Sequence, residues 1–256
     1  MISIGIDIGS VAAKAVAYDG EKILAQELIP TGWSPREAGR NLFQAISKYP
    51  QIDTKDIKCI VGTGYGRIAL PFIDKKVTEI TCHGKGAHFI DPNIRTIIDI
   101  GGQDSKVIRI DDRGNVIDFI MNDKCAAGTG RFLQAMAHTL EVDVSELSLL
   151  AEGVEAQNIN SMCTVFAESE IISLMAEGAS KESISAGLLQ SVCKKTYSLA
   201  SKVQIADKVF FSGGVSKNYF LKKLLENKLQ AKIKTTDNAQ FLGAIGAAII
   251  GSELRR

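Results

Sequence analysis

Cys125 and Cys163 are the residues of this sequence best suited to hold a metal. Cys125 lies in Asn122-Asp123-Lys124-Cys125-Ala126-Ala127-Gly128-Thr129-Gly130 and Cys163 in Met162-Cys163-Thr164-Val165-Phe166-Ala167-Glu168-Ser169-Glu170, each ahead of an expected helix. Two thiolates fall short of the four that an iron-sulfur cluster usually takes, but a two-fold homodimer brings two from each copy to one cluster on its axis. Gly128 and Gly130 let backbone N–H groups approach inorganic sulfide, and helix N-termini aimed at an anionic cluster favour its reduced form. Against this stands the ordinary fate of a cysteine, which is to be a small buried apolar side chain. Four cysteines in a tetrahedron also suit zinc, so the residue types alone leave the metal open and allow a zinc-bridged, nucleotide-dependent interaction module.

A second chemistry is written in paired strand ends. Asp7-Ile8-Gly9-Ser10 and Asp99-Ile100-Gly101-Gly102-Gln103-Asp104-Ser105 each close an apolar run on a carboxylate and glycine. Backbone N–H groups at Gly9, Ser10, Gly101 and Gly102 are candidates to cradle phosphate, while Asp7 and Asp99 would hold Mg²⁺ directly or through water. Asp104 is a further Mg²⁺ ligand or base. Gln103 is placed to orient water towards a γ-phosphate, although an ordinary polar loop residue is an equal reading. A third turn, Phe211-Ser212-Gly213-Gly214-Val215-Ser216-Lys217-Asn218, leads from a strand towards a helix and suits a nucleoside at Gly213, Gly214 and Asn218. One Asp-x-Gly carries little information, since strand-to-turn junctions favour these residues; two copies followed by strand-Gly-Gly-helix carry much more.

Other residues have blander readings. Lys14 is within reach of a phosphate but is expected to be solvated. Glu168 and Glu170 are expected to complement the dipole of their helix. Cys59 and Cys193 read as core, and the adjacent Cys82-His83 pair as structural, because one such pair makes no tetrahedral site.

The elements that must position these groups repeat. Strands are expected over 2–8, 12–18 and 23–29, then a helix from Pro35 through Leu42, Ala45 and Ile46. The second copy runs 96–100, 106–110 and 116–121, then a helix bearing Phe132, Leu133, Met136 and Leu140. Later come a strand over 207–212, a helix over 217–228, a short strand over 232–236 and an Ala-rich helix over 239–250 closing near Gly251. This is a duplicated βββα plan, an α/β fold, with a first half of residues 1–93 plus 238–256 and a second of 94–237 meeting at a ligand cleft. The 256 residues suffice for two such cores, and the 45% hydrophobic and 23% charged contents are those of an ordinary soluble protein. A net charge of +1 offers no field for nucleic acid or an acidic membrane. Five cysteines, no basic leader and no apolar run of membrane-spanning length point to a reducing, cytoplasmic setting.

The order of phosphate turn, phosphate turn and nucleoside turn resembles the actin, sugar kinase and heat-shock ATPase superfold. With the segments 122–132 and 163–171 added, the whole chain resembles the ATPase activators of 2-hydroxyacyl-CoA dehydratases and the related ATPase subunits of benzoyl-CoA reductase. That resemblance implies a homodimer with one [4Fe-4S] cluster held by Cys125 and Cys163 of each copy. It also implies ATP/ADP and Mg²⁺ as ligands, a dehydratase or reductase component as partner, and ferredoxin or flavodoxin as electron donor. The alternative is a small-molecule kinase of the same superfold, which would need a catalytic Asp near its substrate and no iron.

Overall fold

The computed structural model describes all residues except 161, 162, 207, 255 and 256. Its strands are β1 (Ile2–Ile8), β2 (Ala12–Tyr18), β3 (Ile23–Pro30), β4 (Ile57–Thr63), β5 (Lys75–Lys76), β6 (Thr96–Ile100), β7 (Ser105–Ile110), β8 (Val116–Asn122), β9 (Val209–Ser212) and β10 (Ile233–Lys234). Its helices are α1 (Pro35–Ile46), α2 (Glu79–Ile90), α3 (Gly130–Thr139), α4 (Leu147–Leu150), α5 (Thr164–Ala176), α6 (Lys181–Ala200), α7 (Tyr219–Leu229) and α8 (Leu242–Glu253). The expected strand over 207–212 begins at Val209; Asp207 lies outside the described residues.

The duplication is visible in strand order. One sheet runs β3-β2-β1-β4-β5 and the other β10-β9-β6-β7-β8, so that, read in the opposite direction, the second repeats the first strand for strand. In the first sheet β1 pairs antiparallel with β2 and parallel with β4, placing β1 centrally. All seven residues of β1 are buried, as a strand covered on both faces requires. The chain divides into two compact units, one of residues 1–97, 108–119 and 236–256, the other of 98–107 and 120–235. In the second, Phe132, Leu133 and Met136 of α3 pack with Ile98, Ile100, Phe211 and α6 residues in a single core.

Helix starts follow their capping chemistry. Ser34 accepts from the Glu37 N–H with Pro35 at the first helical position, and Ser180 caps α6 in the same way. The last helix differs from expectation at both ends. A 3₁₀ turn over Asp237–Phe241 precedes α8, whose α-helix starts at Leu242 and continues past Gly251 to Glu253. Gly251 does not terminate the helix because it meets Ser3 and Val61 side chains there, a packing role rather than a capping one.

The Ala-rich α8 lies between α2 and β1 in the first unit, and glycine sets how closely they approach. A Cβ on Gly246 would overlap the Cys82 carbonyl of α2, one on Gly86 the Leu242 carbonyl, and one on Gly5 the Ala244 carbonyl. Alanine normally gains about 1 kcal/mol over glycine in a helix. Overpacking against backbone costs about 1–3 kcal/mol and sometimes more, so Gly246→Ala is expected to lower the urea unfolding midpoint. A raised midpoint would show that α2 and α8 have room the structure does not give them.

Candidate nucleotide and metal site

In the first unit, the β1–β2 turn is closed by Gly9 N–H to Ala12 carbonyl at 3.2 Å. Thr31, a buried residue, pins the same turn from β3's end: its hydroxyl donates to the Gly9 carbonyl at 2.7 Å and its N–H to the Val11 carbonyl at 3.0 Å. Ser10 is half-buried in this turn. Asp7, 6% exposed, has Lys14 Nζ 3.6 Å from its Oδ2. The Lys14 side chain is only 15% exposed, so the expectation of a solvated lysine is corrected. The cause is register: Asp7 and Lys14 are cross-strand partners, which brings their side chains to one face.

In the second unit, Asp99 and its neighbours form a denser arrangement. Lys106 Nζ lies 3.0 Å from Asp99 Oδ2 and 2.9 Å from Asp104 Oδ2, and its side chain is 3% exposed. Ser212, at the end of β9, donates its hydroxyl to Asp99 Oδ1 at 2.7 Å, so the second phosphate turn and the approach to the nucleoside turn meet on one carboxylate. Gly101 N–H donates to the Asp104 carbonyl at 2.9 Å, closing the loop that carries Gly102 and an exposed Gln103. A Cβ at Gly101 would stand 2.7 Å from Asp104 Oδ1, so a larger residue there would have to shift the carboxylate that pairs with Lys106.

Lys106 and Ser212 escaped the sequence reading. A signal existed for the lysine, since Lys14 follows Asp7 and Lys106 follows Asp99 at the same spacing of seven residues, 14 − 7 and 106 − 99, in the two copies of the motif. Nothing comparable marked Ser212, whose partner is remote in sequence.

At the third turn, Gly213 has φ of +87° and its α-position faces the Ile100 backbone, so its glycine is required by packing on β6 and by conformation. Gly214 is exposed. A 3₁₀ turn over Gly214–Lys217 precedes α7, and Asn218 Oδ1 caps that helix by accepting from Leu221 N–H at 2.8 Å. The Asn218 side chain is thus engaged locally through its oxygen.

The five cysteines fall into two groups. Cys59, Cys82 and Cys193 are buried; Cys125 and Cys163 are exposed. Burial pushes the Cys82 thiol up to about 12 and the Cys193 thiol up to about 11, with a hydrogen bond from Thr63 opposing it in the first and the charge of Lys228 in the second. His83 Nδ1 shares a hydrogen bond with the Glu79 carbonyl of its own helix at 2.7 Å. Cys125 sits in the loop between β8 and α3, where Asn122 Nδ2 donates to its carbonyl at 2.8 Å. Cys163 is the N-cap residue of α5 and makes no side-chain cap bond. Glu168 and Glu170 stand beyond the first turn of α5, which corrects the dipole reading. Glu170 instead accepts from Asn160 N–H at 2.9 Å and Nδ2 at 3.2 Å.

These thiols fit a soft, thiolate-binding group. Both are exposed, Cys163 makes no side-chain cap bond, and Val165 and Phe166, both 68% exposed, come just after Thr164 in the first turn of α5. Among the described residues no three or more His, Cys, Asp and Glu side chains come together as a metal site. For Mg²⁺, Asp99 has Lys106 on one oxygen and Ser212 on the other, which suits a carboxylate that holds the ion's hydration water.

Removing one member of a buried ion pair costs about 3–5 kcal/mol, because the remaining charge is left uncompensated. Lys106→Met is expected to lose stability on that scale in urea unfolding, and adding Asp104→Asn is expected to recover part of it; strict additivity of the two would contradict a shared ion pair. A second test addresses the cysteines. Iodoacetamide at pH 8 should label Cys125 and Cys163 of the folded, iron-free protein and spare Cys59, Cys82 and Cys193 until denaturant is added, as peptide mass mapping would read.

Residues 4–251 match the BadF/BadG/BcrA/BcrD ATPase family. The chain is 44% identical to the (R)-2-hydroxyglutaryl-CoA dehydratase activating ATPase of Acidaminococcus fermentans, over 96% of this chain and 95% of that protein. A structure of the activator of the 2-hydroxyisocaproyl-CoA dehydratase from Clostridium difficile, with bound ADPNP, superposes with a TM-score of 0.92 at 42% identity, covering 99% of this chain and 95% of that one. A ROK family glucokinase from Streptomyces griseus superposes with a TM-score of 0.60 at 14% identity, covering 99% of this chain and 100% of that one. This last likeness shows the fold alone, and it is the sugar kinase and actin-like α/β fold that the paired strand ends implied. Motif order, strand order and a match across nearly the whole sequence agree: the chain belongs to the BadF/BadG/BcrA/BcrD ATPase family.

Proposed function

We propose that this ATPase is a one-electron activator: two copies hold a [4Fe-4S] cluster between Cys125 and Cys163 of each, and ATP hydrolysis drives an electron into a 2-hydroxyacyl-CoA dehydratase or a related reductase component. The observation that carries the reading is the placement of both exposed thiols in the unit that contains the Asp99 turn, with the Cys125 loop leading directly into α3. Support also comes from relatives named as activators of 2-hydroxyacyl-CoA dehydratases at 42–44% identity. Such a cluster supplies one electron at low potential. The donor is ferredoxin or flavodoxin.

The chain's own residues do the rest. Gly9, Ser10, Gly101 and Gly102 offer N–H groups to phosphate oxygens. Asp7 and Asp99 position Mg²⁺, each beside a lysine that offsets its charge. Asp104 holds Lys106 in place, and Gln103, exposed on the same turn, orients the attacking water. Gly213, Gly214 and Asn218 line the nucleoside. Val165 and Phe166 beside Cys163 suit burial against the second copy of the chain.

Magnitude explains why hydrolysis is needed. For one electron about 59 mV is a tenfold change, so raising it by about 300 mV costs about 7 kcal/mol. Allosteric coupling from binding alone typically supplies about 1–3 kcal/mol. Asp99→Ala is therefore expected to lower ATP hydrolysis by about a hundredfold, the scale of a misplaced reacting group, and to abolish activation. Gln103→Ala should keep the dimer and cluster but lose most ATP-driven delivery to a 2-hydroxyacyl-CoA dehydratase, assayed anaerobically with dithionite or reduced ferredoxin. Wild-type protein that activates no such enzyme yet phosphorylates a sugar without iron would replace this reading with the kinase.

A further inference from the structure

The start of α3 touches more of the site than any sequence motif assigns to it. Gly130 N–H donates to the Gly101 carbonyl at 2.9 Å, and Arg131 N–H donates to the Gly102 carbonyl at 2.9 Å. The first two residues of the helix are thus hydrogen-bonded to the two glycines of the second phosphate turn. A side chain at Gly130 would be crowded: a Cβ there would stand 3.1 Å from the Gly101 carbonyl, tight enough to make that backbone give, and in ordinary contact with Gly102 Cα at 3.4 Å and Val215 Cγ2 at 3.5 Å, the last belonging to the third glycine turn.

On its other side the same junction grips the cysteine loop. Thr129 is fully buried, and its hydroxyl and N–H both donate to the Ala126 carbonyl, at 2.6 and 3.0 Å. Asn122 Nδ2 fixes the Cys125 carbonyl at the far end of the loop. Gly128, at φ of +84°, backs onto Lys195 of α6, where a Cβ would stand 2.9 Å from the lysine Cγ. The loop is therefore held at Asn122, supported by α6 and continued into α3 through Thr129 and Gly130. Further along, α3 packs against α5, the helix that Cys163 caps.

We propose that the Thr129-Gly130 junction is a mechanical joint that passes the state of the Gly101–Gly102 turn to the Cys125 loop, with Thr129 and Gly130 as positioning residues. Phosphate bound by the turn's amides orders its carbonyls, the carbonyls set the first turn of α3, and Thr129 carries that setting to Cys125. Only Ala126, Ala127 and Gly128 lie between Cys125 and Thr129, so little slack is available to absorb a shift. A packed joint of this kind switches between discrete arrangements. The inference rests on the proposed function in one respect, that a nucleotide occupies this turn.

The test needs no cluster. In the full chain purified without iron, the iodoacetamide alkylation rate of Cys125 is measured by peptide mass spectrometry with and without Mg²⁺ and a non-hydrolysable ATP analogue, whose binding is followed separately by calorimetry. Wild-type protein is expected to show a rate shift of about fivefold or more, the lower end of typical allosteric coupling. Thr129→Val removes only the hydroxyl bond and Gly130→Ala crowds the Gly101 carbonyl; both are expected to bind the analogue but lose most of the shift. Bound analogue with an unshifted Cys125 rate, or a full shift in both variants, would overturn the joint while leaving the activator reading standing. Failure of the wild type to bind the analogue would end both.

Discussion

Lys106 is the residue on which the candidate site most depends. An ammonium group with 3% exposure, paired to Asp99 and Asp104 at 3.0 and 2.9 Å, holds two carboxylates that would otherwise repel each other inside the protein. Through Asp99 it reaches Ser212 and the third glycine turn, and through Asp104 it closes the loop of Gly101 and Gly102. Two segments distant in sequence, 99–106 and the end of β9 at Ser212, are thereby fixed to one another by charge and hydrogen bonds, while the apolar core beneath them supplies the rigid support. The first unit repeats the arrangement in a looser form, with Lys14 farther from Asp7 and partly open to water.

Glycine gives the two units another shared logic, although it serves different purposes in each. Around Gly5, Gly86 and Gly246 it lets α2, α8 and β1 approach at backbone distance, a packing requirement remote from any chemistry. At Gly101 and Gly130 it lets a turn, a helix start and a carboxylate occupy one small volume. Side chains absent at these positions are what allow backbone amides to be offered to a ligand and carbonyls to be held by a helix.

Much of this was legible in the sequence. Alternating apolar strands ending in Asp-Ile-Gly marked β1 and β6, and the repeated βββα order is mirrored in the two sheets. The positions of α1, α3, α7 and α8 followed from apolar spacing and from Pro35, whereas α2 and α4 were not marked. The chemistry around the strand ends was harder to read because it depends on pairing across strands. Lys14 resembles any exposed strand lysine until its register with Asp7 is known, and Ser212 is an ordinary strand serine until β9 is laid beside β6. Glu170 shows the converse, since a position that suggested the helix dipole is used to hold Asn160. The division of the cysteines was only half visible: Cys59 sat in an apolar strand and Cys193 in a helical run, but that Cys125 and Cys163 are exposed is a matter of tertiary packing.

The proposed reading, an ATPase whose output is an electron, draws on a chain of turn, helix start and cysteine loop, in which the two exposed cysteines belong to the same unit as the Asp99 turn. The most direct test of that account is the iron and acid-labile sulfide content of anaerobically purified protein, measured together with its mass in solution. The account predicts one four-iron cluster per dimer, lost in Cys125→Ala and in Cys163→Ala and kept in Cys59→Ala. Zinc in place of iron, or a complete cluster on each monomer, would contradict it.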